Sequence, residues 1–484
     1  VSRPAADTAA ADRGPAGAGR DGRPARQAGT QLVGRALALT LNLGAFAVLV
    51  RYLPATGFGE YTLALTVAYI GSLLATFGLD VSLFRRLSLE PDDAVTLART
   101  VVVRCGFAVA VTVLVVAGGH AATGGGPLFA AIAAATLTIL IGPLQTMAQV
   151  LRARVQLLPF AIADVGGSAV TLTMLLLLSR DGLSALEAVV ATVVPNALAA
   201  TFLAALSVRR LAPGFRRAGL SVAGFRELLH RSRALGVADL VVVGYYRLDV
   251  LMLSALGGLA ALGAYAVAYR FVDVAMYVQV IVIGAFFPSM ARAWESGEGP
   301  QARIEDVAAL LVPAGTAIYV VVISLGPDVL ALVSPERYPD LGTLLPLLLA
   351  ATVVMYVNRL LLQALIAGGR GGAQLRCWLV ALATSLVAMP LGVVVAGAVG
   401  AAAATLVAEL VLLGAAAHAL RDVLRRRPLL TGRRPAILLG GAALVTAAAA
   451  LGPAPQLLGA AVVAATAVAM AARRYRLQRE PGPA

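Results

Sequence analysis

Arg247, Asp249, Arg270 and Asp273 are charged residues set in apolar stretches, GVADLVVVGYYRLDVLMLSAL and, after a GGLAAL break, GAYAVAYRFVDVAMYVQVIVIGAFFPSM. Each stretch is long enough to cross a bilayer, which takes about 20 helical residues. A charge at bilayer depth costs about 3 kcal/mol on insertion scales, so such groups are expected to face a wet cavity or one another. At a rise of about 1.5 Å per residue, Arg247 lies about 13 Å from the end of its helix at Leu256, and Arg270 about 12 Å from the next helix's start at Leu262. Asp249 and Asp273 fall within about 5 Å of the same level. Arg270 and Asp273, three apart, share a helix face, whereas Arg247 and Asp249 do not. The planar guanidinium fork suits an anion such as a diphosphate. Arg247, Arg270, Asp249 and Asp273 are therefore the expected substrate-binding residues of a transport cavity. Buried salt bridges that merely hold two helices together are the alternative, and the two readings are compatible.

Arg359, in LPLLLAATVVMYVNRLLLQALIAGG, adds a further candidate anion contact on the inner half of such a cavity, beside Asn358 and Gln363. Its alternative is to snorkel to headgroups. Asp239 and Glu409 are the carboxylates placed to exchange a proton or Na⁺, with Asp164 a weaker candidate. Asp80 is expected to pair with Arg85 or Arg86 near the inner end of a span. His120, His230 and His418 are isolated, and Cys105 and Cys377 sit in apolar runs. Neither a disulfide framework, a metal-ligand spacing nor a cofactor motif is expected.

The elements that must position these groups are membrane helices. Over 484 residues the chain is 60% hydrophobic, with mean hydropathy +0.86, which implies an all-α polytopic membrane protein. Fourteen apolar spans are expected, at 30–50, 61–84, 100–119, 127–150, 158–179, 184–206, 233–256, 262–288, 308–333, 341–367, 375–393, 397–420, 434–452 and 454–472. The formal charge of +14 comes with 39 basic residues, all of them Arg. Thirty-three of them, Arg104 included, fall in the segments expected on the cytoplasmic side and three on the outer side. This positive-inside pattern accounts for the charge without nucleic acid and places both termini in the cytoplasm. Segment 1–29 is expected to be a disordered tail with no cleavable signal, and 473–484 a second cytoplasmic tail.

An internal repeat sets the domain plan. Gly59-x-Tyr61 in GFGEYTLALTVAYIGSLLATFGLDVSLFRR and Gly263-x-Tyr265 in ALGAYAVAYRFVDVAMYVQVIVIGAFFPSMAR recur 204 residues apart. Two pseudo-symmetric six-helix lobes follow, at 30–206 and 233–420, joined by a basic cytoplasmic loop at 207–232 and followed by a helix pair at 434–472. Prolines within spans, such as Pro288, Pro346 and Pro390, permit bending. The outer loops are too short to hold a catalytic centre, so no enzyme is expected.

The phrase LVRYLPATGFGEYTLALTVAYIGSLLATFGLDVSLFRR resembles the opening signature of polysaccharide-biosynthesis exporters: an Arg, a Leu-Pro turn, Phe-Gly-x-Tyr, then Gly-Leu-Asp and basic residues. YYRLDVLMLSALGGLAALGAYAVAYRFVDV resembles their Arg-x-Asp…Gly-x-Tyr-x-x-Ala-Tyr-Arg signature. These exporters belong to the multidrug/oligosaccharidyl-lipid/polysaccharide superfamily, and the resemblance covers roughly residues 30–420. It implies a bacterial plasma-membrane flippase that moves undecaprenyl-diphosphate-linked oligosaccharide to the outer leaflet for surface polysaccharides such as lipopolysaccharide. Arg247, Arg270 and Arg359 would contact the diphosphate. Membrane lipids, a polysaccharide polymerase and glycosyltransferases are the implied partners. A multidrug or cation antiporter of the same fold and a lipid II flippase are the alternatives; the antiporter calls for an acidic, aromatic cavity.

Overall fold

The computed structural model describes residues 22–90, 93–154, 156–215, 222–296, 300–333, 338 and 341–424. The expected helix pair at 434–472 and both expected tails, apart from the residues from Gly22 onward, lie outside the described residues. Among the described residues ten helices are long and apolar enough to cross a membrane, and two of these, Ser232–Glu295 and Gly371–Ala419, are long enough to cross twice. The protein is an all-α, multi-pass membrane protein.

The first half of the chain comprises α1 (Gly22–Tyr52), α2 (Ala55–Thr76), α3 (Leu79–Leu89) and α4 (Ala94–Thr123). A broken helix follows, made of α5 (Pro127–Ala135), α6 (Leu137–Leu140), α7 (Gly142–Met147) and α8 (Gln149–Ala153), and then α9 (Leu158–Leu178) and α10 (Ala185–Phe215). Ser184 and Glu187 form a capping box at the start of α10: the Ser184 N–H donates to Glu187 at 2.8 Å, and the Glu187 N–H to the Ser184 hydroxyl at 3.2 Å.

The second half comprises α11 (Val222–Met252), α12 (Gly258–Glu295), α13 (Pro300–Val333), α14 (Leu341–Ala367), α15 (Gly371–Ala419) and the short α16 (Arg421–Leu424). A π-helical turn at Leu253–Gly257 and Gly258, at φ 83°, separate α11 from α12. Within α15 the backbone leaves helical geometry at Ala396 and Gly397 (φ 54°), where the AGA turn was expected. Helix occupies most of 207–232, because α10 continues to Phe215 and α11 begins at Val222.

Two expectations about the chain's path are corrected. The second span does not run 61–84. It starts at Ala55 and stops at Thr76, because Phe77 (φ 41°) and Gly78 (φ 71°) are both left-handed. Beyond that corner α3 buries Leu79, Leu83 and Leu87 on one face and leaves Arg85, Arg86 and Ser88 exposed elsewhere on its surface. This is the pattern of an amphipathic segment. The second correction concerns Arg104, counted with the cytoplasmic arginines although it falls in the span expected at 100–119. Asp93 caps α4 by accepting the Thr96 N–H at 2.9 Å, so the helix starts early and Arg104 is buried within it.

The two halves meet along α2. An apolar core joins Leu53 and Phe58 of the first half to Leu262, Tyr265 and Leu344 of the second. The repeated glycines make the tightest approach. A Cβ added to Gly59 would lie 1.9 Å from the Leu259 carbonyl oxygen, and one added to Gly263 would lie 1.9 Å from the Ala55 oxygen. Tyr338 closes over the same end, donating to the Leu53 carbonyl at 3.5 Å. At the far end of α2 a Cβ on Gly78 would lie 2.7 Å from the Gly236 nitrogen, and one on Gly236 would lie 2.8 Å from the Phe77 ring. Nineteen residues separate Gly59 from Gly78, a span of about 29 Å at 1.5 Å per residue. α2 thus touches the second half closely near both of its ends.

Candidate functional site

Three of the expected residues, Arg247, Arg270 and Asp273, lie on α11 and α12 between those two contacts. Arg270 and Asp273 pair along one face of α12, with Nη1 3.5 Å from Oδ2 and both side chains nearly half exposed. Asp273 feels the charges of both Arg270 and Arg247. The Arg247 guanidinium lies over the ring of Tyr69 on α2, 5.2 Å from its centroid. That of Arg270 lies over the ring of Phe46 on α1, at 5.8 Å. Phe46 continues into a line of rings, edge-on to Phe58 at 6.2 Å, with Phe58 in turn 5.8 Å from Tyr61. The Tyr61 hydroxyl bonds Thr192 at 3.2 Å. Two arginines of the second half therefore face an aromatic wall on the first.

Asp249 is turned the other way. It is buried, accepting the Val250 N–H at 2.7 Å and the Tyr265 hydroxyl at 2.9 Å. With Glu409 it lines a small pocket inside the second half, together with Tyr245, Tyr246, Tyr269 and Thr405. Glu409 is 1% exposed. It accepts the Tyr245 hydroxyl at 2.7 Å and the Asn358 amide at 2.7 Å. Side chains two residues apart on a helix diverge in direction, which is why Arg247 and Asp249 open onto different spaces.

Arg359 borders this pocket. Its guanidinium lies 4.9 Å from the Tyr246 centroid and 5.6 Å from that of Trp378, and it acts electrostatically on Glu409. Its Nε and the Asn358 Oδ1 are buried without a hydrogen-bond partner among the described residues. Asp239, ten residues before Asp249 on α11, does not line the pocket. Asp164 feels Arg35 and Arg152, at the far end of the first half.

Asp80 pairs with neither Arg85 nor Arg86. It accepts Arg104 Nη1 at 2.5 Å and the Thr146 hydroxyl at 2.9 Å, and Arg104 also donates to Thr146, so that α3, α4 and α7 are tied by one polar knot. The arrangement needs Gly142, since a Cβ there would lie 3.0 Å from the Arg104 guanidinium. The cause is the left-handed corner at Phe77 and Gly78, which swings Asp80 off the membrane span and toward α4.

Sequence reasoning passed over the aromatic residues. Tyr245 and Asp249 stand four apart, as do Tyr265 and Tyr269, then Tyr269 and Asp273. That spacing puts the paired groups one turn apart, which left the Tyr265–Tyr269 stack at 5.7 Å open to inspection; the phenol–carboxylate bonds, Tyr245 to Glu409 and Tyr265 to Asp249, join different helices and were not. The partners on α1 and α2 were not either, because nothing local ties Phe46 to Arg270.

The chain is an all-α membrane fold in which two helical halves meet at a repeated glycine crossing and two arginines of the second half face rings of the first. A family model described as "Polysaccharide biosynthesis protein" matches residues 26–294. That is more than half of the chain, and the chain belongs to this family. Among solved structures it is similar to the lipid II flippase MurJ in an inward closed conformation, with TM-score 0.69 at 11% identity, covering 93% of this chain and 99% of that one. A multidrug resistance MATE family transporter in an inward-facing conformation is also similar, with TM-score 0.61 at 14% identity and coverage of 82% and 98%. So is a superfamily transporter from Pyrococcus furiosus, whose binding pocket is described as reversed in polarity, with TM-score 0.57 at 13% identity and coverage of 83% and 95%. At these identities the likeness is one of fold. No curated protein matches the sequence.

Proposed function

We propose that the protein flips an undecaprenyl-diphosphate-linked oligosaccharide from the inner to the outer leaflet of a bacterial plasma membrane, by alternating access, for surface polysaccharide biosynthesis. The observation that carries this reading is that Arg247 and Arg270 of the second half lie over rings of the first, with Asp273 under the charge of both. A guanidinium in a partly desolvated cavity holds a diphosphate through charge-assisted bonds. The polyprenyl chain stays in lipid, while the headgroup crosses as the Gly59 and Gly78 closures part in turn. Both termini face the cytoplasm in this scheme, and a polymerase and glycosyltransferases act before and after the flip. The lobes that move in this scheme are 30–206 and 233–420. Glu409 is the coupling carboxylate, with Asp239 a second ion contact and Arg359 the inner anion contact.

A second reading has one observation in its favour. The pocket bearing Asp249, Glu409 and three tyrosines is acidic and aromatic, as a cation antiporter requires. The same experiment separates the two. In a deletion strain of the host, accumulation of cytoplasm-facing undecaprenyl-diphosphate glycan with loss of surface polymer supports the flippase and names its glycan, lipid II included. Normal glycan with new sensitivity to cationic dyes supports the antiporter. Arg247→Ala and Arg270→Ala are expected to abolish complementation while still inserting; full activity of both at normal expression would refute the site.

A further inference from the structure

Among the described residues three guanidinium–ring contacts cross between the halves. Arg247 of α11 meets Tyr69 of α2, Arg270 of α12 meets Phe46 of α1, and, in the reverse sense, Arg35 of α1 meets Tyr277 of α12 at 5.9 Å. Arg359 differs: both its rings, Tyr246 and Trp378, come from its own half. The two arginines assigned to the diphosphate are thus the ones whose surroundings change when the halves separate. Tyr69 is 44% exposed, so filling a core is not what holds it there. A ring takes the face of a guanidinium and leaves the N–H groups around its edge free. Ring and phosphate therefore bind together rather than compete. What a phosphate does have to displace is Asp273, and that pair is long at 3.5 Å and nearly half exposed.

We propose that Tyr69 and Phe46 are positioning residues for Arg247 and Arg270, supplied by the opposite half, so that the anion site is complete only when the halves are together. This rests on the diphosphate reading above. A ligand that binds one of two states more tightly shifts the population toward it. A bound diphosphate accordingly draws the halves into the closed arrangement, and loading becomes the signal for closure. A cation–π contact contributes about 1 kcal/mol when partly exposed, so losing either ring is expected to weaken binding about 5-fold, on the scale of tenfold per 1.4 kcal/mol.

The test uses the full chain in nanodiscs, with spin labels at Ser88→Cys and Ser296→Cys on a Cys105→Ser background and electron–electron distances read as undecaprenyl diphosphate is titrated into the bilayer. The wild type is expected to shift to the closed distance. Tyr69→Leu and Phe46→Leu should each raise the midpoint of that shift about 5-fold. Tyr69→Phe should behave as wild type, because the ring and not the hydroxyl makes the contact. Arg247→Ala and Arg270→Ala should lose the response. If both Leu variants keep the wild-type midpoint while the Ala variants lose the response, the positioning role is overturned and the diphosphate site stands. If the wild type itself does not respond, both are overturned.

Discussion

Replacing Gly263 with Ala puts a methyl carbon 1.9 Å from the carbonyl oxygen of Ala55, on a backbone that cannot rotate away. Ordinary carbon contacts begin near 3.5 Å, so the two helices must separate by about 1.5 Å or the closure must open. Two magnitudes compete. Alanine favours a helix over glycine by about 1 kcal/mol, but α12 is a helix whether the halves are together or apart, so this gain cancels from the equilibrium between them. The overpacking penalty, about 1–3 kcal/mol, falls on the closed arrangement alone. The expected result is a shift of about tenfold or more away from closure at the Gly59 end, and Gly59→Ala, 1.9 Å from the Leu259 oxygen, should match it. Gly118→Ala, with nothing within 4 Å of the new carbon, is the control. A cysteine at Tyr61, on a Cys105→Ser background, reports the opening through its rate of labelling by an impermeant maleimide added from outside. Equal labelling rates in Gly263→Ala and Gly118→Ala would refute the view that this crossing is a gate.

Two further predictions concern ion pairs. Arg104→Met leaves Asp80 and Thr146 without their cation, and breaking such a pair should cost about 3 kcal/mol; a lowered unfolding temperature in detergent checks it, with Asp80→Asn milder because Asp80 is 22% exposed and water reaches it. In the second half, Arg370 donates to both oxygens of Asp422, at 2.9 and 2.5 Å, and this holds the carboxyl below the usual carboxylate range. A carboxyl depressed in the folded state stabilises above its unfolded value of about 3.9 and loses that contribution as pH falls through its folded value. Acidification below about pH 4 should therefore free α16 to proteolysis, and Asp422→Asn should be equally susceptible at pH 7.

Much of the architecture was legible in the chain because membrane helices are written in long apolar runs that need no tertiary partner to be recognised. Most of the first twelve spans, the breaks near Gly258 and Gly397, and the Gly-x-Tyr repeat were visible in this way, while the pair expected at 434–472 lies outside the described residues. The repeat even marked the place where the halves approach most closely, since only glycine admits a carbonyl at that distance. The left-handed corner at Phe77 and Gly78 was not legible, for a Phe-Gly pair inside an apolar run also suits a continuing helix. It is the packing of Leu79, Leu83 and Leu87 against the first half that makes the turn worthwhile, and the partnership of Asp80 with Arg104 follows from it. The depth of Arg247, Arg270 and Asp273 could be counted along the chain at a fixed rise per residue. Which way each side chain faces, and which ring from more than 170 residues away covers it, depends on how the helices rotate against one another. Sequence alone determined that charges lie within the membrane helices; tertiary packing decided that Arg247 and Arg270 face the opposite half while Asp249 and Glu409 share a pocket within their own, because a helix's rotation is set by all of its neighbours at once.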